Sequence, residues 1–222
     1  MDNHYELFSA SGMDFIVFHL ECDDGNCSWP SNGNPPTGTL TTCQNVMTWM
    51  RNLLINNYPT RRAIIASHFV GTPSSGGAGT MTLSNQGQAY LNMAKALPNV
   101  FLMMGGHLDQ ANHRTDLAND GHPIYTVVSD FQTRPNGGNG WLLIMTFDPV
   151  ADTIHIETYS PTIGAFINKP TAHADDAKIG GVEMNELTLS YAMDSGLPFQ
   201  TIGTTTGVTS GTQTCVPWPA LV

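Results

Sequence analysis

Two short apolar runs do most to limit what this chain can become: 62–66 (Arg-Ala-Ile-Ile-Ala) and 99–104 (Asn-Val-Phe-Leu-Met-Met). Each is continuous rather than alternating, which marks a strand covered on both faces. Between them lie a Gly- and Ser-rich loop at 71–80 and a helical segment that Ser84 opens as N-cap and that runs to Ala96. Strand, loop, helix and strand in that order make a βαβ unit. The two runs are therefore expected as parallel neighbours in one sheet.

The rest of the chain is read around this unit. Residues 5–8 and 14–20 form two strands joined by the Ser9-Ala10-Ser11-Gly12 turn, and 22–42 is loop. From Cys43 to Asn57 the apolar positions Val46, Met47, Met50, Leu53 and Leu54 recur at helical spacing. Beyond residue 110 the pattern turns to hairpins. Asn119-Asp120-Gly121 separates 114–117 from 124–128, and 148–152 separates 141–147 from 153–159. A last strand fits 186–191. The predicted class is α/β in the mixed (α+β) sense, one domain over 1–202 with a Thr/Gly-rich tail over 203–222.

Composition narrows the function. At 222 residues the chain suits one domain that buries roughly 70% of its unfolded surface. A net charge of −10 with only eight Lys and Arg argues against nucleic acid or an anionic membrane as partner. An acidic protein still binds phosphate where a metal supplies the positive charge. Of the four cysteines, Cys22 and Cys27 flank the turn sequence Asp23-Asp24-Gly25-Asn26 and are expected to pair. Cys43 and Cys215 are left as a second pair or as free thiols. Disulfides imply an oxidising compartment, yet the first residues lack the charged and apolar regions of a signal peptide, so the chain is expected either to be cytoplasmic as expressed or to have lost a leader or upstream segment.

Sites in open α/β sheets form at the carboxyl ends of strands. Ser67-His68 ends one parallel strand and Gly105-Gly106-His107 its neighbour, about 5 Å away, so both imidazoles are within reach of one metal ion. Asp109, two residues on, is expected to turn its carboxylate to the same point. The paired glycines permit a sharp turn and close approach. His19 at the end of 14–20 faces the same pocket or is a core histidine. Asp130 and Arg134, after 124–128, orient a substrate or form a salt bridge in the turn. His113, His122, His155 and His173 read as surface residues.

Ala66-Ser67-His68 after an apolar strand, followed by Met104-Gly105-Gly106-His107, resembles the last two metal motifs of the calcineurin-like metallophosphoesterases. The resemblance extends over 3–20, Leu83-Ser84-Asn85-Gln86-Gly87 and 129–146, most of residues 3–192, and points to the C-terminal half of secreted bacterial members. It implies a partial four-layer αββα sandwich of two mixed sheets, a secreted or periplasmic setting, and hydrolysis of phosphate esters at a dinuclear metal centre. The family's Asp-x-His, Gly-Asp-x-x-Asp and Gly-Asn-His-Asp/Glu motifs are absent. Asn3-His4 lacks the preceding glycine and the following acid of the last of these. The family's final Gly-His-x-His reads Gly106-His107-Leu108-Asp109.

These readings lead to a metal-dependent hydrolase of phosphate or carboxylate esters. It would use one weakly held divalent ion (Mn, Fe or Zn) bound by His68, His107 and Asp109. A metal-free Ser/His/Asp esterase is the competing class, although no Gly-x-Ser-x-Gly elbow is present and Ser67 faces away from His68. A non-catalytic remnant or binding module is the third. With half of the family's sandwich missing, the chain is expected to mask its open sheet surfaces as a homodimer.

Overall fold

The computed structural model describes residues 3–21, 27–72, 81–167 and 186–193. Strands β1 (His4–Ala10) and β2 (Met13–Leu20) form a hairpin whose two-residue turn holds Ser11 at φ 51° and Gly12 at φ 76°. Both are left-handed, the pairing that matches the twist of antiparallel strands. Helix α1 (Thr42–Asn56) opens with a capping box: Gln44 N–H donates to Thr41 Oγ1 and the Thr41 amide donates to Gln44 Oε1. Strand β3 (Arg62–Ser67) follows, then the two-residue strands β4 (Gly71–Thr72) and β5 (Thr82–Leu83). Helix α2 (Asn85–Ala94) is capped by Ser84, whose Oγ accepts from the Gly87 amide at 3.0 Å. Then come β6 (Val100–Gly105), β7 (Gln110–Leu117), β8 (Pro123–Asp130), β9 (Leu142–Asp148), β10 (Thr153–Ser160), β11 (Ala165–Phe166) and β12 (Glu186–Ser190).

The larger sheet runs β1-β2-β3-β6-β8-β7. Its four central strands, β2, β3, β6 and β8, are mutually parallel, with β1 and β7 antiparallel at the edges. The βαβ expectation for β3 and β6 is met. Sequence order does not hold beyond β6, because β8 takes the place beside it and β7 is pushed to the rim. The smaller sheet is wholly antiparallel: β10 pairs with β9, β11 and β12.

Side-chain alternation on the larger sheet sorts the core into two layers. Ile16, Phe18, Ile65 and Met103 point to the face that α1 and α2 cover with Met47, Met50, Leu54, Tyr90 and Leu91. Phe15, Ile64, Phe101 and Tyr125 point to the other face, against Ile154, Ile156 and Leu189 of the smaller sheet. Each fully buried side chain of this size contributes about 1.5–3 kcal/mol. The protein is thus a mixed α/β sandwich. Among the described residues it comprises three layers, helices, sheet and sheet, of the expected four.

The cysteine pairing differs from expectation. Cys27 is bonded to Cys43 at the start of α1, with Cα atoms 5.3 Å apart. Cys27 does not bridge to Cys22, because the chain from 27 folds back over the helix and both of the bonded cysteines are buried. Cys22, Cys215, the turn at 23–26, most of the loop at 71–80, His173 and the tail from 203 lie outside the described residues.

Candidate functional site

The carboxyl ends of β2, β3, β6 and β8 open into one cleft of about 610 Å³. Its walls carry His19 and Glu21 beyond β2, Ser67 and His68 beyond β3, Gly105, Gly106 and His107 beyond β6, and Ser129, Asp130 and Gln132 beyond β8. No Lys or Arg is among its described lining residues.

His68 and His107 meet across the floor. His68 Nε2 lies 2.7 Å from His107 Nδ1, with ring centroids 4.7 Å apart and planes at 73°. One nitrogen donates and the other accepts, so the two rings hold complementary tautomers. Phe69 lies 4.5 Å from the His107 ring. The backbone holds this geometry firmly. The Gly106 amide donates to the His68 carbonyl at 2.9 Å, and Gln132 Nε2 donates to the His107 carbonyl at 3.3 Å. A Cβ on Gly105 would stand 2.8 Å from the Ser67 carbonyl oxygen, which only glycine tolerates. His107 itself sits at φ 78°, a left-handed backbone that residues other than glycine rarely adopt. Such residues cost on the order of 1–3 kcal/mol and concentrate at functional sites.

Asp109 does not join them. Its side chain is buried, accepting from Arg134 Nε at 2.7 Å and from Thr133 Oγ1 at 2.7 Å, with Arg134 Nη2 at 2.6 Å. Arg134 is buried with it, stacked over Phe131 at 4.6 Å, and neither residue lines the cleft. The expected ligand and the expected substrate contact therefore neutralise each other beneath the turn after β8. Arg134 directs both Nε and Nη2 at Oδ1 and Thr133 takes Oδ2, so both carboxylate oxygens are satisfied in a dry site and none is left to face the cleft. Asp130 does line the cleft, its Oδ1 accepting the Gln132 amide at 2.9 Å. Ser67 is buried, 3.4 Å from Gln86 Nε2 beneath α2, on the sheet face opposite His68.

His19 also reaches the cleft. Its ring stacks on His4 across the hairpin at 4.8 Å, and its Nε2 lies 3.9 Å from Glu6 Oε2. His113 is half-buried rather than on the surface, and desolvation lowers its pKa from the ordinary histidine value. The sequence reading singles out neither Gln132 nor Glu6, and takes His4 only together with Asn3, against a family motif that the pair does not complete. The alternation of His4 and Glu6 along a strand facing His19 is the signal that marks the pair.

As to donor chemistry, two imidazole nitrogens converge on the floor. Among the described residues no carboxylate or thiol joins them in a three-residue cluster. That set suits one divalent ion with solvent or substrate filling its other positions, and does not suit a bridged pair.

No protein-family model matches the chain. Over 166 residues it is 28% identical to an uncharacterized protein, YvnB, of Bacillus subtilis strain 168, a match covering 72% of this chain and 11% of that one. The chain thus spans about a tenth of that relative's length. Among solved structures, a dimetal phosphatase from Danio rerio is similar with a TM-score of 0.42 and 13% identity, over 85% of this chain and 61% of that one.

Proposed function

We propose that this chain is a metallophosphoesterase-like domain that hydrolyses phosphate esters with a single, weakly held divalent ion. The observation that carries the reading is the 2.7 Å convergence of His68 and His107, kept in place by a strained His107 backbone at the end of two parallel strands. His68 Nε2 and His107 Nδ1 would hold the ion. Bound there, it would polarise the ester and bring the pKa of its water towards neutrality. The cleft lining has no cationic side chain, so an anionic substrate depends on such an ion for its charge complement. Glu21 and Asp130 are the carboxylates on the cleft wall that would take a proton, and Gln132 keeps both Asp130 and the His107 carbonyl in position.

On this reading turnover should be slow, because one ion cannot clamp both the attacking and the leaving oxygen. The Cys27–Cys43 bridge supports maturation in an oxidising compartment. The exposed edge strand β1 and the outward Leu142, Ile144 and Phe166 support self-association as a dimer.

The test is metal content of the purified protein, with turnover of a phosphate monoester, a phosphodiester and a carboxylate ester after adding manganese, iron or zinc and again with chelator. Slow, chelator-sensitive phosphoester hydrolysis that His107→Ala abolishes is expected. Carboxylate-ester turnover that persists in chelator, or inactivity with all three metals, would overturn the reading.

A further inference from the structure

We propose that His4, Glu6 and His19 form a second divalent-cation site of the zinc, nickel or cobalt class, which staples the edge strand β1 to β2 at the rim of the cleft. The site is independent of the function proposed for His68 and His107, because its ligands stand on other strands.

The pairing register creates the cluster. His4 is the direct partner of His19 in the antiparallel ladder, and Glu6 lies two residues on, where side chains return to the same face. Directly opposed residues hold their Cβ atoms about 5 Å apart and diagonal ones remain within reach of long side chains. Each residue accordingly offers one ligand atom, and the three atoms lie within 4.8 Å of one another. Two imidazoles and one carboxylate are a donor set that binds borderline divalent metals.

A second observation points to a ligand. His19 Nε2 is a buried atom with no hydrogen-bond partner among the described residues, although the side chain as a whole is partly exposed. A buried ring nitrogen is normally satisfied. Glu6 Oε2 is 3.9 Å away, too far for a hydrogen bond. That gap falls within the span that two metal bonds of about 2.0–2.1 Å bridge. An ion there satisfies the nitrogen and answers the Glu6 charge, and the His4 ring, stacked on His19, would turn towards it to coordinate.

The consequence reaches structure and cleft alike. Strand β1 is an edge with six of its seven residues exposed, attached to the sheet through β2 alone. A bound ion closes its open end, opposite the turn. Because His19 also lines the cleft, the ion sets a fixed positive charge on a wall that otherwise carries no Lys or Arg.

The test uses zinc titration calorimetry and cobalt absorption on the full chain and on Glu6→Gln, His4→Ala and His107→Ala. Glu6→Gln is an exposed, near-isosteric change, and near-UV circular dichroism confirms that each variant keeps its fold. Expected is a binding event that weakens more than about tenfold in Glu6→Gln and His4→Ala, since even indirect partners of a ligand are worth that much, and that persists in His107→Ala. Zinc should raise the melting temperature of His107→Ala, and adding His4→Ala to that variant should abolish the rise. The proposal is overturned if Glu6→Gln and His4→Ala bind zinc with native stoichiometry and affinity, or if His107→Ala alone removes all binding. Failure of the His68–His107 reading looks different: the native protein then binds a single ion, and His4→Ala abolishes it.

Discussion

Replacing Asp109 by Asn removes the charge opposite Arg134 while keeping the shape of the side chain. The two side chains are only 6% and 3% exposed, and the pair is closed by contacts of 2.6 and 2.7 Å. Breaking a buried pair from one side costs about 3–5 kcal/mol, because the surviving guanidinium stays in a low-dielectric site without its counter-charge. For a chain of this length each kcal/mol moves the melting temperature by about 2–4 °C, so the variant should melt roughly 6–20 °C lower. Urea unfolding at pH 7 measures the loss directly as a lower midpoint with an unchanged slope. Asp109→His, which restores the family's Gly-His-x-His, should be as costly and should not tighten metal binding, since position 109 lies beneath the 131–134 turn and outside the cleft. The double change Asp109→Leu with Arg134→Met should recover most of the loss, as removing both charges leaves nothing buried and uncompensated. An Asp109→Asn midpoint within about 0.5 kcal/mol of native, the range of an ordinary surface substitution, would refute the argument.

His107→Gly should lose metal binding as His107→Ala does, yet be more stable than the alanine variant by about 1 kcal/mol, because glycine relieves the left-handed backbone; equal urea midpoints would show that no strain is stored there. Burial lowers the His113 pKa, so below about pH 6.5 the unfolded chain binds more protons than the folded one. Stability should therefore fall as pH drops from that point to the folded-state pKa, and His113→Gln should flatten the slope; an unaltered slope counts against this. Reducing Cys27–Cys43, which are 16 residues apart, should cost about 3 kcal/mol in urea unfolding with and without reductant. Light scattering over a dilution series should show a dimer that Ile144→Lys shifts to monomer, and a native protein that is monomeric throughout would end that proposal.

Local chemistry decided much of this protein before any tertiary contact. The continuous apolar runs at 62–66 and 99–104, the Ser84 cap and the Asn119-Asp120-Gly121 turn each depend on neighbours close in sequence, and β3, α2, β6 and the β7–β8 hairpin follow. The same reasoning put His68 and His107 at adjacent strand ends, because strand direction in a βαβ unit is set by handedness. What remained depends on which distant surfaces meet. Whether β7 or β8 lies against β6 is settled by burial, since Tyr125 and Val127 of β8 complete the inter-sheet core while Thr115 and Leu117 of β7 are exposed at the rim. The partner of Cys27 turned on where the loop crosses α1. The role of Asp109 turned on Arg134, 25 residues later, entering the same dry pocket. A carboxylate next to a metal-type histidine is locally indistinguishable from one bound to an arginine; only the fold determines which cation comes within 3 Å of it.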